Sequence, residues 1–183
     1  MKVDDPLNIL RYLRPECISL SLTTELSEAE AEETPERTER RQIEDKERIL
    51  QELADIFDRS GEISNPTKFY KDLVHRERKA TTAIAPQIAI PHVRSKQVKS
   101  FIIGFARAEG EGVPFASLDG GPTRLFFLLA SPAYDNDGIY DKLYLKVYRQ
   151  FSEMLLNEWV IDSFLEAQNE QDVYDIMRGY ISQ

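Results

Sequence analysis

The chain holds one cysteine, Cys17, and two histidines, His75 and His92, in 183 residues. A single thiol closes no internal disulfide and builds no cysteine-based metal cage. Its place beside the apolar residues 18–22 suits a buried structural thiol. With two histidines, no HExxH spacing and no Cys/His cluster, zinc has no ligand set, and no other cofactor is called for. Basic charge is also short: 23 Lys and Arg face 32 Asp and Glu, for a formal charge of -9. Nucleic acid requires a concentrated basic face, so that balance argues against it and against anionic membrane surfaces. Long apolar runs are missing. The longest, residues 125–130, is far too short to span a bilayer, and the first residues, Met1-Lys2-Val3-Asp4-Asp5, carry no apolar signal core. A cytoplasmic protein without membrane insertion is the expectation. The glycine-rich phosphate loop, the dinucleotide fingerprint and the Gly-x-Ser-x-Gly elbow are all absent, which removes the familiar nucleotide-binding and hydrolase constellations.

What is present is enough apolar material, 42% of residues, for one domain with a real core. Residues 6–13 read as a short helix, Pro15-Glu16 as a break, and residues 17–22 as a half-buried strand, with Ile18, Leu20 and Leu22 alternating against Ser19 and Ser21. From Thr23 the composition changes abruptly. Residues 23–46 are nearly all charged, small or polar, with Pro35 interrupting any helix. They read as a charged, solvated insertion, disordered at its start and helical toward its end. Ile49, Leu50, Leu53, Ile56 and Phe57 then fall at helical spacing up to a glycine stop at Ser60-Gly61. Asn65-Pro66 opens a second helix, capped by asparagine with proline in its first turn, that runs to residues 76–79.

Three strands follow, at residues 88–90, 99–107 and 123–131, with a short candidate at 113–115 and turns at 109–112 and 119–122. After a loop at 132–138, Ile139, Leu143, Val147, Phe151 and Leu155 recur every four residues, with two further helices over 160–167 and 170–180. Strands gathered in the middle and separated by helices or turns predict an α/β (α+β) domain, helices packed on a mixed sheet. One domain spanning residues 1–183 is expected, with the insertion inside it.

One candidate for chemistry remains. His92 follows the strand 88–90 directly after Pro91, which fixes its own φ and keeps Ile90 extended. A rigid strand end can present a neutral imidazole as a nucleophile. A histidine that merely caps a strand end would look the same, and these residues alone leave both readings open.

The surrounding pattern is more specific. Arg76-Glu77, then Thr81-Thr82, then Ile88-Ala89-Ile90-Pro91-His92 resembles the signature of the enzyme IIA domains of the bacterial phosphotransferase system, in the mannitol/fructose class that includes the nitrogen-regulatory enzyme IIA. The resemblance extends to Pro15-Glu16-Cys17-Ile18, to Gly112–Phe115 with Asp119-Gly120, and to residues 168–177, so it covers about residues 7–181 apart from the insertion. It implies a mixed β-sheet flanked by helices on both faces. It also implies that His92 accepts a phosphoryl group from the phosphocarrier protein HPr, on Nε2, and passes it to an enzyme IIB or uses it to regulate a target protein. Arg76 matches the family's arginine near the site, whose fork of donors suits a phosphate. Glu77 is expected in a structural ion pair or cap, and His75 on a helix surface.

Three features depart from the family pattern. Ala85 and Gln87 stand where family members usually carry glycines. Tyr144 occupies the place of a second histidine near the acceptor, where its hydroxyl could replace that histidine. The insertion is not typical. A transport phosphocarrier, a regulatory phosphoprotein and a binding module that keeps the fold without efficient transfer are the three functions such a chain could serve.

Overall fold

The computed structural model describes residues 9–134 and 137–181. A short 3₁₀ turn, Ile9–Tyr12, leads into strand β1, Leu13–Ser19. Helices α1 (Pro35–Asp58) and α2 (Pro66–Lys79) come next, then four strands: β2 (Gln87–Ala89), β3 (His92–Ser95), β4 (Ile102–Arg107) and β5 (Thr123–Pro132). Three helices complete the chain: α3 (Ile139–Met154), α4 (Glu158–Glu166) and α5 (Glu170–Ile181). The five strands form one mixed sheet in the order β1-β4-β5, with β2 and β3 following one another along the far side of β5. Only the central pair β4–β5 is antiparallel; β1, β2 and β3 all run parallel to their partners.

Strand β5 shows why the sheet is covered on both sides. Its apolar run is continuous, as expected of a strand buried on two faces. Phe126, Leu128 and Ala130 pack into one core with Ile49, Leu53 and Phe57 of α1 and Phe69 and Leu73 of α2. Leu125, Phe127 and Leu129 alternate to the other side and pack with Val147 and Phe151 of α3, Phe164 of α4 and Met177 of α5. The predicted architecture of helices on both faces of a mixed sheet is therefore the observed one.

Several local expectations change. Pro15-Glu16 does not break the chain; both lie inside β1, and the strand ends at Ser19 rather than Leu22. β1 is an edge strand, where proline is tolerated, and its register with β4 shifts between Leu13 and Ile18 to absorb the irregular stretch. Of the helix expected at residues 6–13, residues 6–8 lie outside the described residues, and 9–12 form the 3₁₀ turn. In β4, a Cβ on Gly104 would stand 2.7 Å from the Cys17 carbonyl oxygen, so only glycine lets the two strands approach this closely. Cys17 itself is buried with its thiol on the Phe57 carbonyl, and burial pushes its pKa up to about 12, which makes it an inert core residue.

Pro35 starts a helix instead of interrupting one. It occupies the first turn of α1, where its missing N–H has no role, behind Thr34 as N-cap. Residues 20–34 form an irregular strap anchored on α1. The Glu52 carboxylate accepts from the backbone N–H groups of Thr23 and Thr24 at 2.8 Å each, and from both hydroxyls. Ser27 donates its backbone N–H to Asp45 at 3.0 Å, and Glu33 pairs with Arg41 at 2.8 Å. Asp45 is buried and shared between Arg41 and Arg48. The strap contributes almost no apolar surface, as its composition implies, but its carboxylate and hydroxyl partners tie it down.

Candidate functional site

Helix α2 and strand β3 meet where the site forms. The asparagine cap and Pro66 start α2 in register, so that Leu73 and Val74 face the core and Arg76 emerges half-buried in its last turn. In the last turn of α2, Glu77 is buried and braces the loop that follows. Its carboxylate accepts from the Thr82 backbone N–H at 2.9 Å and the Thr82 hydroxyl at 2.7 Å, and it pairs with Lys46 of α1 at 2.8 Å. The Thr82 carbonyl in turn accepts the Ile90 N–H at 2.9 Å. A chain of hydrogen bonds thus runs from the floor of the fold to the backbone that precedes His92. Glu77 is the structural residue expected; its partner Thr82 belongs to the signature segment, whereas Lys46 carries no sequence signal, because its contact depends on the tertiary fold.

His92 opens β3, whose four residues pair with β5 in unbroken parallel register from His92↔Leu129 to Ser95↔Pro132. No periodicity announces this strand; His92 sits at the start of a second strand rather than beyond the end of the first. Its Nδ1 lies 2.7 Å from the Ile90 carbonyl oxygen. A carbonyl only accepts, so Nδ1 carries the proton. Nε2 is left with its lone pair, and it accepts from Nε of Arg76 at 3.0 Å, with Nη2 at 2.7 Å. Arg76 is fixed in turn by donating from Nη1 to the Ala80 carbonyl at 3.0 Å. Burial lowers the His92 pKa from the usual 6.5; the Ile90 hydrogen bond opposes this, and the Arg76 charge adds to it. The imidazole is therefore neutral near pH 7, with one nitrogen available as a nucleophile.

Two tyrosines of α3 wall the imidazole. Tyr144 and Tyr148 stand edge-on to it, with ring centroids at 5.8 and 5.9 Å. Burial raises the Tyr144 pKa, which keeps its hydroxyl protonated. Arg94, two residues along β3, places its guanidinium 5.0 Å from the centre of the Tyr144 ring and pairs with Asp141 at 2.5 Å. Sequence reasoning missed Arg94 because it missed β3, and missed Tyr148 although that residue follows Tyr144 by one helical turn.

These groups open onto a groove of about 610 Å³. Its walls are basic: Lys68, Lys71 and Lys79 from α2 and Lys96 from the turn after β3 line it with Arg76 and Arg94, against the single carboxylate Asp72. Asp72 is already engaged by the Ser95 hydroxyl at 2.5 Å. His75 is exposed on the groove wall. Of the predicted site residues, the structure brings together His92, Arg76 and Tyr144. Among the described residues no His, Cys, Asp or Glu cluster is placed to hold a metal ion, and no helix is long and apolar enough to cross a membrane.

The family described as "Phosphoenolpyruvate-dependent sugar phosphotransferase system, EIIA 2" matches residues 34–180. The fructose-specific EIIA component of Haloferax volcanii is 30% identical over 132 residues, 72% of this chain and 82% of that protein. The nitrogen regulatory protein of Pseudomonas aeruginosa is 29% identical over 132 residues, 72% of this chain and 82% of that protein. The fructose-specific EIIABC component of Bacillus subtilis is 29% identical over 136 residues, but the match spans only 20% of that longer protein. Among solved structures, the nitrogen regulatory protein IIA-Ntr of Neisseria meningitidis superposes with a TM-score of 0.70 at 21% identity, covering 92% of this chain and 98% of that one. The mannitol IIA of Escherichia coli gives 0.62 at 19% identity, covering 88% and 96%. The matched span carries the whole His92 site, and the chain belongs to the EIIA 2 family of the phosphoenolpyruvate-dependent sugar phosphotransferase system.

Proposed function

We propose that His92 is a phosphoryl acceptor, and that the protein takes the group from phosphorylated HPr and hands it to an enzyme IIB or to a regulatory target. The observation that carries this reading is the pairing of one imidazole nitrogen with a carbonyl and the other with a guanidinium. In the transfer, the Nε2 lone pair forms the new N–P bond while the donor's P–N bond breaks, and the donor imidazole keeps that electron pair. The proton stays on Nδ1, which donates it to the Ile90 carbonyl, whose dipole favours the positive charge that the substituted ring acquires. Arg76 moves from Nε2 to the phosphoryl oxygens, where its fork of donors offsets the charge developing in the transition state. On this reading the neutral hydroxyl of Tyr144, whose ring borders the imidazole, donates to the same group in place of a second histidine. The chemistry needs no cofactor.

The assembled acceptor, guanidinium and tyrosine walls favour this over a binding module without transfer. A regulatory use is supported alongside transport, because relatives at similar identity are named as a fructose-specific EIIA component and as nitrogen regulatory proteins. A phosphoryl group adds roughly one and a half to two negative charges, enough to remake a docking surface. All of these partners act in the cytoplasm, where the protein is placed on this reading.

The test is incubation with phosphoenolpyruvate, enzyme I and HPr, followed by intact mass under alkaline conditions. One phosphate is expected on the native protein and none on His92→Ala. A native protein that stays unmodified beside an HPr shown to be active overturns the proposal.

A further inference from the structure

Arg76 is not the only guanidinium at the site. His92 and Arg94 are two residues apart on a regular strand, so their side chains leave the same face of β3. Both line the groove, and both meet the ring of Tyr144, His92 edge-on and Arg94 over its face. Among the described residues Arg94 is the one groove cation that lies over the Tyr144 ring; Lys96, just past the end of β3, lies over Tyr134 instead.

The present counter-ion of Arg94 is Asp141, in the first turn of α3. The two side chains are 42% and 60% exposed. Exposed ion pairs of this kind are weak and screened by salt. A phosphoryl group on Nε2 would offer Arg94 nearly twice the charge of a carboxylate, and three acceptor oxygens for a bidentate grip. The exchange favours the phosphoryl group. It also has a structural consequence, because the Arg94–Asp141 pair ties β3 to the start of α3, where the N-cap is Gly138 with no side-chain cap.

We propose that Arg94 is a second phosphoryl-binding guanidinium, which leaves Asp141 when His92 is phosphorylated and so unties the first turn of α3 from the sheet. The proposal rests on His92 being the phosphoryl acceptor. It gives the protein a way to report its phosphorylation state on the groove surface, and it supplies a cation where the family's second histidine is missing.

The test uses phosphoramidate, a small phosphoryl donor, so that no protein partner is needed. Nε2 forms the N–P bond as the phosphoramidate P–N bond breaks and the nitrogen leaves, protonated, as ammonia. Phosphorus NMR then follows the second ionisation of the phosphohistidine against pH in the native protein, Arg94→Gln, Arg94→Lys and Asp141→Asn. A nearby cation favours the dianion, so Arg94→Gln is expected to raise that ionisation by about one pH unit, with Lys restoring part of the difference. Asp141→Asn should leave it at or below the native value. The Arg94 Nε–H signal should shift on phosphorylation, and the amides of residues 139–142 with it. Thermal melting of each variant guards against a folding artefact. An ionisation identical in the native protein and a folded Arg94→Gln overturns the role of Arg94 and leaves the acceptor reading standing. Failure of the native protein to form any phosphohistidine overturns both.

Discussion

The two basic regions of the molecule use their charge in opposite ways. Along α1 and its strap, Arg37, Arg40, Arg41 and Arg48 each pair with a carboxylate of the same region. Around the groove, Lys68, Lys71 and Lys79 have no carboxylate within ion-pair distance among the described residues. The first arrangement holds a polar segment on the fold. The second leaves a positive potential open to solvent on a protein whose formal charge is -9. A cleft lined by one sign of charge focuses the field and draws in counter-charge, so the sign of the whole chain does not describe the surface that does the work.

The contrast predicts that charge removal has separable effects in the two regions. The largest is at the groove. Arg76→Ala should slow phosphoryl acceptance from HPr by about 10²- to 10³-fold, the usual cost of removing one donor from developing transition-state charge. Its melting stability should change by no more than about 0.5 kcal/mol, since the side chain is only half-buried. Transfer time courses and calorimetry on one preparation check both halves; an unfolding penalty as large as the kinetic one would erase the distinction. Next comes Asp45→Ala in the other region. Losing a buried carboxylate shared by two guanidiniums and the Ser27 amide should cost about 2 kcal/mol, discounted because both arginines reach solvent. That corresponds to a melting point lower by roughly 4–8 °C, with acceptance by His92 unchanged once the protein is folded. The smallest effect lies between the two regions. Gln87 has a φ of 63°, in the left-handed region that favours glycine. Gln87→Gly should stabilise by about 0.5 kcal/mol, the relief of left-handed strain less the entropy that glycine loses on folding. Urea unfolding would detect it, and a destabilised variant would show that the Gln87 side chain holds the loop in some other way.

Gln87 also shows how the backbone and the sequence can disagree. A side chain with a Cβ disfavours a positive φ, yet the backbone at Gln87 takes one and bears the strain. Other features were readable where a local rule applied without competition. The i, i+3, i+4 spacing of Ile49 to Phe57 placed the buried face of α1, and Asn65-Pro66 placed the start of α2. Beyond local rules, the family resemblance named Arg76 and His92, two residues that the fold brings into contact. The failures were of two kinds. Pro35 is compatible with either stopping or starting a helix, and only the capping hydroxyl of Thr34 decides which. Strand β3 is four residues long, two of them cationic or imidazole, with Val93 its one large apolar side chain. Pairing with β5 makes it a strand, and no periodicity over so short a stretch could show that. Arg94 was lost with it.

The hydrogen bond from Nδ1 to the Ile90 carbonyl has a further consequence for inheritance. The atom that selects which nitrogen can react belongs to the main chain. Ile90 could become valine or leucine, and that carbonyl would remain in place. Because Pro91 follows, the carbonyl is part of a tertiary amide whose own nitrogen has no hydrogen to offer, so this peptide unit can only receive a proton, never compete for one. If His92 is the acceptor we propose, the choice of its reacting nitrogen is protected from point mutation at the residue that enforces it, while side chains such as Arg76 and Tyr144 remain free to drift.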